Sequence, residues 1–226
     1  MPDFDLATRT LGSDIGRRFW TAIIGGPLVL LIVYLGGWLF TLAIVVVLVI
    51  STYELHSNVR DSRLLWSVWL YLIVALVYIC LPTSLLWLIR QLPDGAAWVL
   101  TLFITNWATD GCALLGGRIF GRTRLAPLIS PGKTVEGALT GIILGTLIGT
   151  AAAALLQLNI SVGFIATVAI SLLTVLGDLA ESWLKRRLAV KDFGTLLPGH
   201  GGLLDRIDGL LFASVGLFLV IALLPR

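Results

Sequence analysis

Long apolar runs separated by short polar connections set the pattern of this chain. A bilayer-crossing helix needs about 20 mostly apolar residues, within a range of roughly 17 to 25. On that ruler the sequence predicts seven spans, at residues 19–35, 38–53, 64–81, 97–115, 135–156, 162–180 and 207–224. Gly36 and Gly37 break the first long run into a tight hairpin. Residues 83–92, between Pro82 and Pro93, are apolar but too few to cross, and read as a re-entrant or interfacial segment. Eight crossings is the alternative count.

Charge placement favours seven, because segments on the cytoplasmic side carry the excess of Lys and Arg. With the N-terminus inside, Arg9, Arg17, Arg18, Arg60, Arg63, Arg118, Arg122, Arg124, Lys133, Lys185, Arg186, Arg187, Lys191 and Arg206 fall in cytoplasmic segments. Only Arg90 and Arg226 of the 16 basic residues fall outside. An eighth span after Leu81 would reverse every later segment and carry the two basic loops to the other side. Trp20, Trp38, Trp66, Trp98 and Trp183 fall near predicted span ends, as an interfacial belt would.

Composition agrees with this reading. The 226 residues are 58% hydrophobic and 13% charged, too apolar for an ordinary soluble domain. The net charge of +3 resides in short segments between spans, where membrane orientation explains it without nucleic acid. Cys80 and Cys112 lie in different apolar stretches without CxxC spacing and read as buried thiols. The mixed charges of Asp3, Asp5, Arg9, Asp14, Arg17 and Arg18 do not resemble a cleavable leader, so the following apolar run is expected to stay in the membrane. Gly137, Gly141, Gly145 and Gly149 leave one face of the fifth span bare for close helix packing, with a substrate groove as the other reading.

The candidate chemistry lies in carboxylates at span ends: Asp110, Glu136, Asp178, Glu181, Asp205 and Asp208. An ionisable group at membrane depth costs about 2.5 to 3.5 kcal/mol at the helix centre on insertion scales, and so marks function. All six fall towards the cytoplasmic ends, which predicts one cytoplasm-facing site. Asp178 and Glu181 are three apart, as are Asp205 and Asp208, so each pair shares a helical face. Such oxygen-only sets suit a hard cation such as Mg²⁺; pairing with Lys185, Arg186 and Arg206 explains the spacing equally well. Lys133, Lys185, Arg186, Lys191 and Arg206 suit phosphate oxygens, while Gly199, Gly201 and Gly202 around His200 let backbone amides approach an anion. The segment from Ser130 to Thr134 ends in GKT, but Pro127 stands where a P-loop needs its first glycine, so no P-loop is read. A helix beginning near Thr134 would still present its amides to a phosphate beside Lys133.

These residues together resemble the phosphatidate cytidylyltransferase (CDP-diacylglycerol synthase) family. Its signature is matched by Ser182, Lys185, Arg186, Lys191, Asp192, Gly194, Pro198, His200, Gly201, Gly202, Asp205, Arg206 and Asp208. A second block comprises Trp107, Asp110, Gly117, Arg118, Gly121, the Ser130 to Thr134 segment, Glu136 and Gly137. The likeness runs from about residue 98 onward and reaches the first 90 residues only in hydropathy; Leu114 replaces an aromatic often found there.

The resemblance implies an all-α polytopic membrane enzyme of about seven helices, in which residues 93–226 carry the catalytic region and 1–92 the first three spans and a short interfacial segment. It implies transfer of a cytidylyl group from CTP to phosphatidic acid, giving CDP-diacylglycerol and pyrophosphate. Asp178, Asp205, Asp208, Lys185 and Arg206 would be catalytic, the three aspartates also holding metal. Lys133, Arg186, Lys191, His200, Gly201, Gly202, Ser130 and Arg118 would bind phosphates and CTP. Mg²⁺, with K⁺ as a companion, a homodimer and a bacterial inner-membrane location complete the expectation. A CTP-dependent polyprenol or dolichol kinase, or an ion-coupled transporter, is the alternative; no internal repeat supports the transporter.

Overall fold

The computed structural model describes residues 23–61, 68–194 and 201–224. Helix α1 (Ile23–Leu35) is followed by α2 (Gly37–Asp61) and α3 (Val68–Val74), which continues through a π-helical turn (Ala75–Cys80) into α4 (Leu81–Arg90). Then come α5 (Gly95–Phe120), the strands β1 (Arg124–Ala126) and β2 (Ser130–Thr134), and the helices α6 (Val135–Leu155), α7 (Ile160–Leu188) and α8 (Leu204–Leu223). Among the described residues, six helical stretches are long and apolar enough to cross a membrane. The shorter α1 covers part of the first predicted span, whose remainder lies outside the described residues. The helical membrane architecture holds, with one addition to the all-α expectation: a small antiparallel hairpin of β1 and β2.

Residues 83–92 do not form a separate interfacial segment. Residues 83–90 belong to the second of the six long stretches, Tyr71–Arg90, and residues 91 and 92 to the turn after it. Proline ordinarily stops a helix because it lacks an N–H and crowds the preceding turn. Here Pro82 enters at the start of α4, directly after the wider π turn, where Leu81 N–H reaches back to the Leu76 carbonyl. The helix therefore runs through the proline. At its far end Arg90 donates to the Val33 and Tyr34 carbonyls at 2.7 and 3.0 Å, capping the end of α1. Gly36 and Gly37 make the α1–α2 hairpin with φ of +64° and +58°, a region that penalises residues with a Cβ.

Two further boundaries move. Helix α7 extends beyond the predicted 162–180 as far as Leu188, because Leu184 and Leu188 recur one turn apart and are both buried. Lys185, Arg186 and Arg187 thus lie on a helix and not in a loop. Helix α8 begins a turn earlier than predicted and includes Asp205.

Helices α5, α6, α7 and α8 form the body of the bundle. The bare glycine face of α6 meets α5 directly: a Cβ on Gly137 would stand 2.7 Å from the Ala113 carbonyl, and one on Gly141 2.6 Å from that of Thr109. Some of the polar side chains inside are hydrogen-bonded across helices, Thr109 to Ser171 at 3.1 Å and Thr174 to Asn106 at 2.9 Å. Trp98 departs from the predicted belt, being buried in the apolar core with Val99, Leu102 and Ile170, whereas Trp38 and Trp183 are exposed. Trp20 and Trp66 lie outside the described residues. Cys80 and Cys112 are free thiols, each partly exposed.

A second apolar cluster, Leu55, Tyr78, Ile79, Leu184, Leu188, Phe193, Leu204 and Leu211, joins α2, the π turn, α7 and α8 beneath the polar end of the bundle. Its effect is to fix the two helix ends that carry the acidic pairs.

Candidate active site

A cavity of about 580 Å³ opens at that end. Its polar wall is built by Asp110 and Arg118 from α5, Lys133 from β2, Asp178 and Glu181 from α7, and Asp205, Arg206 and Asp208 from α8. Its apolar wall is built by Ala113, Leu114, Leu125, Ala138 and Val175. A chamber lined by both polar and apolar side chains suits a ligand that has both characters.

The helical spacing explains the polar wall. Asp178 and Glu181 occupy one face of α7, and Asp205 and Asp208 one face of α8. The helices pack closely where Gly177 faces Gly209, since a Cβ on Gly177 would come within 3.0 Å of the Gly209 Cα. Asp110 and Asp178 are near enough to Asp208 to repel it electrostatically, and Lys133, in contact with Asp178, also attracts the other two. Lys133 pairs with Asp178 at 2.5 Å. Asn106 orients Asp110 by donating to Oδ2 at 3.3 Å while accepting from Thr174.

Asp205 has a different environment from its partners. Its side chain is 2% exposed, and Lys185 Nζ lies 2.6 Å from Oδ1. Its Oδ2 accepts from the Phe193 and Gly202 backbone N–H groups at 3.0 and 2.7 Å. Lys185 also stands 2.7 Å from Glu181 Oε1, an ion-pair contact without the alignment of a hydrogen bond. One partly buried ammonium is therefore shared by two buried acidic side chains.

Of the remaining sequence candidates, Arg118 and Arg206 line the cavity. Arg186 points elsewhere: its Nε donates to the Ile129 carbonyl at 3.2 Å and ties α7 to the β-hairpin. Lys191 is exposed and Ser130 half-buried, both outside the cavity wall. Gly201 has φ of +84° and Gly202 supplies the amide to Asp205, so both shape the loop before α8. His200 lies outside the described residues. Glu136, grouped by sequence with the site acids, instead accepts from the Arg122 and Thr123 backbone N–H groups at 3.0 and 3.1 Å and closes the loop before β1. The Ser130 to Thr134 segment forms β2, and Thr134 caps α6 by accepting from Gly137 N–H.

Sequence reasoning missed Glu54 and Asn58 of α2. Glu54 is buried and accepts from the Leu203 and Leu204 N–H groups at the start of α8, both at 2.9 Å. Asn58 donates to the Phe193 carbonyl at 2.6 Å. The available signal was an isolated acid within an otherwise apolar span.

Among the described residues no three His, Cys, Asp or Glu side chains converge into a closed metal cage. Mg²⁺ is commonly held by one or two carboxylates together with substrate phosphates and water, so one or two of the cavity aspartates, Asp178 and Asp208 among them, are chemically compatible with it. Asp205, saturated by two amides and Lys185, is a poorer donor.

Comparison with known proteins agrees with this geometry. The chain is 31% identical over 251 aligned positions to a phosphatidate cytidylyltransferase of Brucella suis biovar 1 (strain 1330), covering 92% of this chain and 93% of the relative. It is 42% identical over 127 positions to the phosphatidate cytidylyltransferase of Helicobacter pylori (strain ATCC 700392 / 26695), covering 54% of this chain and 46% of the relative. A third, from Staphylococcus haemolyticus (strain JCSC1435), is 40% identical over 121 positions, 53% of this chain and 46% of its own. The cytidylyltransferase family profile matches residues 59–224, a stretch holding every described carboxylate of the cavity, and the chain belongs to that family.

Proposed function

We infer that this protein transfers a cytidylyl group from CTP to phosphatidic acid, forming CDP-diacylglycerol and pyrophosphate for phospholipid synthesis. The observation that carries the reading, beside family membership, is the mixed cationic and apolar lining of the cavity. Arg118, Lys133 and Arg206 face the same space as Leu114, Leu125 and Val175. A phosphorylated lipid and a nucleotide triphosphate need that combination of cationic and apolar surface.

In the reaction a phosphatidate oxygen attacks the α-phosphorus of CTP, and the bond from that phosphorus to the β-phosphate oxygen breaks as pyrophosphate leaves. The attacking phosphate is already ionised near neutral pH, so no general base is required. The protein's task is to bring two polyanions together and to neutralise charge as it moves to the leaving group. Lys133 and Arg206 would hold the CTP phosphates and Arg118 the phosphatidate headgroup. Lys185 pairs with Asp205 and lies beside Glu181, and so ties the end of α7 to the start of α8. Asp178 and Asp208, with Asp110 beside them, would hold Mg²⁺, which when bound adds positive charge against the CTP phosphates.

The concentration of Lys and Arg at the cavity end supports a cytoplasmic orientation, the side from which CTP arrives. Seven spans, a homodimer and residence in a bacterial inner membrane belong to the same proposal. The test is purified protein with phosphatidate, Mg²⁺ and CTP labelled on the α-phosphate. Label entering the lipid together with pyrophosphate release is the expected result. Lipid labelled only from γ-labelled CTP would overturn it in favour of a lipid kinase, and CTP-independent ion uptake into liposomes without lipid product in favour of a transporter.

A further inference from the structure

Glu54 lies 149 residues before Leu203 in sequence, yet its two oxygens meet two successive backbone amides, those of Leu203 and Leu204. The fit is close. A Cβ on Gly202 would stand 2.7 Å from both Glu54 oxygens, so the loop can lie against the carboxylate only because a side chain is missing there. One turn further along α2, Asn58 grips the Phe193 carbonyl at 2.6 Å. Phe193 in turn gives its N–H to Asp205, as does Gly202. Two polar side chains of α2 therefore hold both described flanks of the segment that precedes α8, and the same flanks hold Asp205. An ionised acceptor on amides at a helix N-terminus is a strong, charge-assisted arrangement. Neither Glu54 nor Asn58 lines the cavity, so neither touches substrate.

We propose that Glu54, supported by Asn58, is a positioning residue for the reaction: it sets the height and rotation of the first turn of α8 and thereby aims Arg206 and Asp208 into the cavity. This rests on the cytidylyltransferase reading for its catalytic consequence, but the anchor itself does not depend on that reading. The carboxylate's charge and second acceptor oxygen matter, and bulk alone does not. Glu54→Gln keeps the volume while turning an NH₂ group towards one of the two amides. Misplacing reacting groups by about 1 Å costs on the order of 10²-fold in rate.

The experiment compares full-length wild type, Glu54→Gln and Asn58→Ala in detergent micelles, by hydrogen exchange of peptides that contain Phe193 or Leu203 and Leu204 and by steady-state kinetics with CTP and phosphatidate. Expected for Glu54→Gln are faster exchange at Leu203 and Leu204 and a kcat lowered about 100-fold, with KM for both substrates within about threefold. Asn58→Ala, a milder change that does not alter the helix-end anchor, is expected to speed exchange near Phe193 and lower kcat about tenfold. Wild-type exchange and kcat in both variants would overturn the proposal. So would faster exchange with unchanged kcat, or an effect confined to KM. If wild type forms no CDP-lipid while Glu54→Gln still exchanges faster, the anchor stands and the assigned reaction fails.

Discussion

The ammonium of Lys133 lies 2.5 Å from Oδ2 of Asp178, joining β2 to α7 across the cavity wall. Both side chains are partly exposed, 30% and 23%, so the pair adds little to stability. On the proposed reaction its value would be in presenting a cation to an incoming phosphate. Lys133→Met is expected to lower kcat/KM by about 10²- to 10³-fold, with the thermal unfolding midpoint in detergent nearly unchanged. An activity assay beside a melt checks both halves.

The aspartates are expected to separate by metal response. Asp178 opens to the cavity, whereas Asp205 is committed to Lys185 and two amides. Asp178→Asn should raise the Mg²⁺ concentration for half-maximal activity by about 10- to 100-fold. Asp205→Asn should leave that midpoint within about twofold and reduce kcat and stability instead. Chelation of Mg²⁺ should abolish wild-type activity and readdition restore it. Equal Mg²⁺ midpoints in the two variants would remove the distinction between them.

Lys185 stands between Glu181 and Asp205, whose side chains are 4% and 2% exposed. Removing the shared cation leaves the buried Glu181 and Asp205 side chains without their ion partner, Asp205 keeping only the Phe193 and Gly202 amides. Breaking a buried pair in this way typically costs about 3 to 5 kcal/mol. Lys185→Met is expected to lower the unfolding midpoint clearly, and Lys185→Met combined with Glu181→Gln to recover part of the loss. Thermal denaturation of the purified protein in one detergent measures it.

Much of this architecture is legible in the chain because the membrane imposes a length on each apolar run. The fifth predicted span, 135–156, differs from α6 by a single residue, and the acidic pairs at i and i+3 do share helix faces. What escapes the ruler depends on partners remote in sequence or on backbone detail. The passage of a helix through Pro82 rests on the π turn before it, which leaves no periodic trace. The placement of Lys185 on α7 follows from Leu184 and Leu188, which extend the helix by packing with Phe193 and Leu204. Glu54 was visible as an acid in an apolar run, but its partners are backbone amides, which every sequence possesses. Trp98 shows the limit from the other side: a tryptophan near a span end becomes core when neighbouring helices cover it.

The glycine face of α6 offers a prediction in which two glycines behave oppositely. A Cβ at Gly145 would overlap the Thr109 hydroxyl and stand 2.9 Å from its Cα, with no room to yield because Thr109 is buried and bonded to Ser171. Gly145→Leu must push α6 from α5, and Thr109 directly precedes the cavity's Asp110. Overpacking of this kind costs about 1 to 3 kcal/mol, and the shift should reduce CDP-lipid formation as well. Gly111, two residues along the same helix, has nothing within 4 Å of its would-be Cβ. Gly111→Ala gains helix propensity without a clash and is expected to raise stability by up to about 1 kcal/mol. Paired melts of the two variants decide the matter: if Gly145→Leu unfolds no earlier than Gly111→Ala, close approach of α5 and α6 is not what the glycines provide.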